Sequence, residues 1–251
     1  MMGCLYGAKA VFLFQLTWPE NIFYGLLVVV FFVFLSIISG KIDVLGGLLG
    51  GLMAFMLFLG GGFVFMGYLF LFFVLGSAAS AFKISTKEQK GLAEKNKGKR
   101  SIGNALANGT VASVAGLGAW LWPEVHAWFH IALAAAFASA TSDTLSSEIG
   151  NVLGSRYYHI LTFKRFNAGP DGIVSLEGSL AGIVGSLIIA IAYSLVAQDN
   201  WGLLVVFLSG IVGNLSDSLL GATLQWYGWL NNHMVNFMNT LIAAVFGVLL
   251  Y

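Results

Sequence analysis

Residues 140–150, ATSDTLSSEIG, close a long apolar run and yet carry Asp143 and Glu148. A carboxylate in an apolar segment is expensive, roughly 3 kcal/mol at mid-membrane on insertion scales. The core of the stretch returns in GNLSDSLLGATLQ, residues 213–225. Ser-Asp-Thr-Leu at 142–145 is matched there by Ser-Asp-Ser-Leu at 216–219. A chain that repeats such a cost needs the charges for something, and the question is what they hold.

Composition sets the surroundings. Of 251 residues, 58% are hydrophobic and 9% charged, where a soluble domain carries about 25% charged residues. The expected fold class is an all-α integral membrane protein, a single polytopic domain over residues 1–251. The one cysteine, Cys4, excludes an internal disulfide. The first segment lacks a basic start followed by a small-residue cleavage site, so no cleavable signal is expected. Thirty-two glycines suit close helix packing in a membrane. No nucleic-acid partner is expected, and the sequence leaves the oligomeric state open.

Apolar stretches near the length needed to span, about 20 residues, fall at 22–39, 44–59, 63–82, 101–122, 126–150, 173–197, 201–221 and 234–251. That predicts eight spans, with a break at Gly60-Gly61-Gly62 and residues 1–19 unassigned. The loop 83–100, KISTKEQKGLAEKNKGKR, holds 7 of the 12 basic residues, which makes it cytoplasmic by the positive-inside rule. The loop 151–172, with Arg156, Lys164 and Arg165, shares that side. The setting this suggests is the inner or plasma membrane of a prokaryote. Leu106–Thr110 resembles Leu176–Ser179, and a Ser-Asp unit follows each. Spans four–five and six–seven therefore read as two copies of one outward-and-back hairpin.

In this topology Asp143, Glu148, Glu177 and Asp217 gather near cytoplasmic helix ends, with Asn104, Asn108 and Asn214. Asn104 and Asn108 share a helix face, as do Asn214 and Asp217. Hard oxygen ligands suit Mg²⁺, which binds one or two carboxylates plus substrate phosphates. Asp143, Asp217 and Glu148 are the candidate metal ligands, and the same three with Glu177 are the candidate catalytic residues. Carboxylates and amides facing lysines and arginines are what phosphoryl transfer asks for, a chemistry of positioning and charge neutralisation. Lys83, Lys87, Lys99, Arg100 and Lys164 are candidate phosphate contacts. Lys99-Arg100-Ser101 leads straight into Asn104, at a helix start that favours anions. Asn167–Gly172, with Gly169 and Gly172 ahead of Ser175, is a turn-rich string whose N–H groups suit a phosphate. Asn232, Asn236 and Asn239 form a polar stripe in the last span. It bonds to neighbouring helices or, through Asn236, touches substrate. No Walker sequence occurs.

The strings KRSIGNALANG (99–109), SDTLSSEIG (142–150), GPDGIVSLEGSLAG (169–182), GNLSDSLLGATLQ (213–225) and NNHMVNFMNT (231–240) resemble those of a known membrane family. It includes the plant and cyanobacterial phytyl-phosphate kinase of tocopherol synthesis and a human transmembrane protein. More distantly, the family is similar to CTP-dependent polyprenol kinases. The resemblance implies transfer of a phosphoryl group from CTP to an isoprenyl monophosphate such as phytyl or geranylgeranyl phosphate. It implies Asn104, Asn108, Asp143, Glu148, Glu177, Asn214 and Asp217 as site residues. Where the family has Gly-Thr in its glycine loop, this chain has Gly169-Pro170. Two alternatives stand beside this reading: a cytidylyltransferase making a CDP-lipid from the same reactants, and a membrane transporter.

Overall fold

The expected break at Gly60-Gly61-Gly62 is a reversal of the chain. In the computed structural model, which describes residues 20–40, 42–92 and 102–251, one helical stretch, α2, runs from Val44 to Ala81. Inside it Gly61 and Gly62 leave helical geometry, Gly62 at φ 60° and ψ −146°, which only glycine adopts cheaply. Before the break, Gly46 faces the backbone of Ile102 and Gly60 faces Gly116. After it, Phe65 stacks on His126, Phe72 meets Phe137, and Ser80 reaches Glu148. The first half thus runs alongside α4 (Ile102–Leu121) and the second alongside α5 (His126–Leu153). Those two helices are a hairpin turning at Pro123, so the halves of α2 run in opposite directions.

The remaining helices are α1 (Glu20–Ile38), the short α3 (Ile84–Gln89), α6 (Leu176–Ala197), α7 (Asn200–Leu220) and α8 (Asn232–Leu250). A π-helical turn over Gly221–Gln225 extends α7. Among the described residues, four stretches are long and apolar enough to cross a membrane on length and composition alone: α2, α6, α7 with its extension, and α8. The other expected spans fall on α1, α4 and α5. Residues 1–19 and 93–101 lie outside the described residues.

Helix α5 is the centre of the bundle. Its residues from His130 to Ser142 are buried without interruption, the mark of a helix covered on all sides. Small residues let its neighbours close in. Gly185 lies against the backbone of Thr141, Gly210 against Ala138, Gly213 against Ser139 and Gly247 against Ala135.

The end of the bundle carrying the second ends of α2, α5 and α7 and the first turns of α4, α6 and α8 is the candidate functional end, where the expected site residues gather. The opposite end is closed by its own polar contacts. There Asp199 caps α7 through the Gly202 N–H, and Tyr193 donates to Asp199 at 3.2 Å. Buried Tyr68 and His130 bond at 2.9 Å.

The stretch between α5 and α6 differs from the loop the sequence suggests. Three short strands, β1 (Tyr157–His159), β2 (Arg165–Phe166) and β3 (Ile173–Ser175), form an antiparallel sheet in the order β2-β1-β3. Tyr158 pairs with Arg165 on one side and Val174 on the other. Strands this short carry little periodic signal, and tertiary support holds them: Trp226, beyond the end of α7, sets its ring edge-on against His159 and Phe166.

Candidate active site

Asp143 and Asp217 stand equally far from the first residues of their helices, His126 and Asn200. That shared register, on two helices that each return to the functional end, brings the two carboxyl groups into hydrogen-bonding contact. Helix α8 supplies the donors. Asn239 Nδ2 donates to Asp217 Oδ2 at 2.7 Å, and its own Oδ1 accepts from Ser139 Oγ at 3.0 Å. Asn236 donates to the same Asp217 oxygen at 3.3 Å and to the Asn232 carbonyl at 3.0 Å, its amide orientation being assigned from these partners. Asn239 is fully buried, so its fixed amide sets the angle of the Asp217 carboxylate.

Two carboxylates this close repel strongly. At ~4 Å and an effective dielectric of ~20 the cost is about 4 kcal/mol. Such a pair shares a proton or holds a cation. The salt bridge formed among the described residues, Lys87 to Glu148, leaves this pair without a basic partner. The two carboxylates are hard oxygen donors that fit Mg²⁺, which takes one or two carboxylates and completes its shell with water and phosphate, while the flanking amides present N–H groups that orient Asp217. No cluster of three or more His, Cys, Asp or Glu side chains able to hold a metal occurs among the described residues. The expected trio of Asp143, Asp217 and Glu148 is therefore not assembled as one ligand set.

Glu148 instead meets a cation. Lys87 Nζ donates to Glu148 Oε2 at 2.5 Å and to the carbonyls of Ala79 and Ser80, while Ser80 Oγ donates to Oε1 at 2.6 Å. Lys87 is 1% exposed. It fastens the end of α2 to α5, where a lysine also satisfies the last helix carbonyls, and it does not face an open phosphate site. Glu177 is likewise turned away from the pair. It accepts from the Ser155 N–H at 3.1 Å and hydroxyl at 2.6 Å, tying α6 to the end of α5.

The sheet lies over the functional end as a flap. Gln225 Nε2 donates to Asp171 Oδ2 at 2.5 Å. Gly172, at φ 77°, sits so close to the backbone of Ala222 that a Cβ would collide with it. These contacts seat the Gly169–Gly172 string on the π-turn, one helical turn beyond Asp217. Asp171 acts electrostatically on both Asp143 and Asp217. Much of Asp171 is exposed, but the flap crowds its carboxyl, and that partial desolvation raises its pKa above the ordinary value. Partial burial, then the Glu177 charge, raise the pKa of Tyr157, whose hydroxyl donates to the Gly150 carbonyl.

The other expected site residues divide. Asn214 has its amide nitrogen against Gly182, beside Ser142, next to the carboxylate pair in sequence and space. Asn108 is buried, and its Nδ2 donates to the Asn104 carbonyl at 3.1 Å. Its Oδ1, with Thr141 Oγ1 and Ser142 Oγ, is buried without a partner in the protein. Ser175 is spent on structure, capping α6 by accepting from the Gly178 N–H. Gly169, at φ 120°, lies against Leu92. Lys83 is exposed and stands over the Phe82 ring. Lys164 is exposed between β1 and β2. Lys99 and Arg100 lie outside the described residues.

Ser139, Asp171 and Gln225 carried no assigned role in the sequence. Asn239 did leave a signal, in the 232–236–239 stripe, as a residue that bonds neighbouring helices; its bond to Asp217 places it at the site. Gln225 left one in GATLQ, the tail of the second acidic motif.

The profile of an integral membrane protein family, DUF92, matches residues 27–244. An uncharacterized membrane protein of Methanocaldococcus jannaschii is 35% identical over 206 residues, 82% of this chain and 84% of that protein. The chloroplastic protein VTE6 of Arabidopsis thaliana is 34% identical over 189 residues, 71% of this chain and 56% of VTE6. An uncharacterized membrane protein of Synechocystis is 32% identical over 187 residues, 72% of each chain. No solved structure matches.

Proposed function

This chain belongs to the DUF92 integral membrane family, and from that premise we propose that it is a CTP-dependent isoprenyl-monophosphate kinase. The observation that carries the proposal is the contact of Asp143 with Asp217, near the ends of α5 and α7. The similarity to a chloroplast protein and a cyanobacterial protein accords with the motif resemblance to the phytyl-phosphate kinase family.

In this reading an oxygen of the lipid monophosphate attacks the γ-phosphorus of CTP. A new P–O bond forms, the bond from the β-phosphate oxygen to the γ-phosphorus breaks, and the electron pair leaves with CDP. A phosphate monoester with a second pKa near 6 is already largely ionised at neutral pH, so no strong general base is required. Asp143 and Asp217 would hold Mg²⁺, oriented by Asn239 and Asn236, and the ion would supply charge neutralisation between two approaching anions. The glycine-bounded flap offers backbone N–H groups to phosphate oxygens. Lys164 on its outer turn, and Lys99 and Arg100 ahead of α4, supply further positive charge.

The test uses purified protein in nanodiscs with Mg²⁺, CTP and geranylgeranyl monophosphate. Lipid diphosphate with CDP is the expected product pair. CDP-lipid with pyrophosphate makes the chain a cytidylyltransferase. Absence of turnover with every nucleotide and prenyl phosphate, in folded protein, removes the enzymatic reading.

A further inference from the structure

An apolar cavity of about 720 Å³ lies between α1, the two halves of α2 and the first turns of α4. Its wall is almost wholly hydrocarbon, and its polar exceptions include Ser39, Ser77 and Asn104. These three sit at the functional end: Ser39 follows α1, Ser77 precedes the Ser80–Glu148 contact, and Asn104 is in the first turn of α4. The far end reaches Val28 and Phe63. From Val28 to Ser39 a helix rises about 16 Å, close to the ~15 Å of one leaflet, half the hydrocarbon core. The volume suits a single small ligand, such sites running from about 300 to 1,000 Å³.

Two glycines in the wall are not explained by packing. A Cβ at Gly50 or Gly67 would meet nothing within 4 Å, whereas one at Gly51 or Gly109 would press on Val33 or Met53. Glycine in a helix interior costs stability relative to alanine. Where no neighbour approaches, what the glycine leaves is open volume, and here it opens into the cavity. The cavity mouth is also joined to the carboxylate pair. Gly103, beside Asn104, abuts the His233 ring in the first turn of α8. Asn236 and Asn239, the donors to Asp217, are on the next two turns of that helix.

We propose that this cavity receives the single hydrocarbon tail of an isoprenyl phosphate, which enters past Asn104 and leaves its phosphate at the Asp143–Asp217 end. The proposal rests on the kinase reading for the identity of the head group. One slot, one leaflet deep, takes one chain and does not seat both chains of a diacyl lipid.

The test replaces open space with side chain: Gly50→Leu, Gly67→Leu and the double variant, all in nanodiscs. A photoactivatable geranylgeranyl monophosphate is expected to label the cavity faces of α1 and α2 in the parent protein. In the double variant labelling falls at least tenfold, with thermal unfolding unchanged. KM rises more for geranylgeranyl monophosphate than for ten-carbon geranyl monophosphate. Labelling that is equal in parent and double variant overturns the proposal. So does a diacyl phosphatidic acid probe that labels the same faces equally well, or a crosslink from residues 1–19 to the cavity wall. Labelling of the cavity without turnover of any prenyl phosphate leaves the tail site standing and sinks the kinase reading alone.

Discussion

Asn239, buried on α8, donates to Asp217 on α7 and so fixes one half of a carboxylate pair completed by Asp143 on α5. Three helices thus meet at one polar contact, and removing its members one at a time separates their roles. Asp217→Asn and Asp143→Asn keep the shape of the pair and remove one charge. Each is expected to lower turnover by roughly 10²–10³-fold, the size of losing one positioned electrostatic group. Full activity with unchanged Mg²⁺ dependence in Asp217→Asn would contradict the assignment.

Asn239→Ala leaves both carboxylates in place but frees Asp217 to rotate. The expected loss is about 10–100-fold, typical of a residue that orients a metal ligand. It is expected mainly in the Mg²⁺ concentration needed for half-maximal rate, with the KM for lipid little changed. A Mg²⁺ titration at saturating lipid checks this.

Lys87 and Glu148 form a buried pair, so breaking it differs from deleting it. Lys87→Met strands Glu148 and is expected to destabilise by about 3–5 kcal/mol, whereas Lys87→Met with Glu148→Leu recovers most of that loss. Thermal unfolding in detergent measures both. A nucleotide-contacting Lys87 would instead show an unchanged midpoint and a raised KM for CTP.

Asp171 provides a pH signature. Its folded-state pKa is raised by crowding under the flap, so the native protein holds the proton more tightly than the unfolded chain. The contribution of Asp171 to stability is then most favourable at acid pH and falls as pH rises from the unfolded value, 3.8, through the raised folded value. Asp171→Asn keeps an acceptor for Gln225 and is expected to flatten that part of the profile, measured without Mg²⁺. A parallel profile in the variant would show that Asp171 is not responsible.

Gly60 and Gly50 both lie on the first half of α2 and predict opposite results. A Cβ at Gly60 would run into the Gly116 carbonyl, whereas at Gly50 it meets nothing. Gly60→Ala is expected to destabilise by at least the ~1–3 kcal/mol of overpacking. Gly50→Ala is expected to be neutral or slightly stabilising. Folded yield and melting temperature distinguish them.

Much of this protein was legible in one dimension because membrane physics writes itself into local composition. Apolar runs marked the helices, and Gly60-Gly61-Gly62 marked the reversal of α2, because no other residue makes that turn so cheaply. Asp143 and Asp217 stood out because charge is costly there. Partnership was not legible, since contact depends on the rotation of one helix against another, and neighbours along the chain do not fix that. Lys87 looked like part of a solvated basic loop, yet α3 folds it back onto Glu148. Ser175 and Glu177 belonged to a motif, yet their bonds go to the helix start and to Ser155. The strands over 157–175 exist because α7 and Trp226 support them. Sequence placed carboxylates at one end of a helical membrane bundle. Only tertiary packing decided which two of them face each other, because that choice is made by small-residue contacts across α5, α6, α7 and α8.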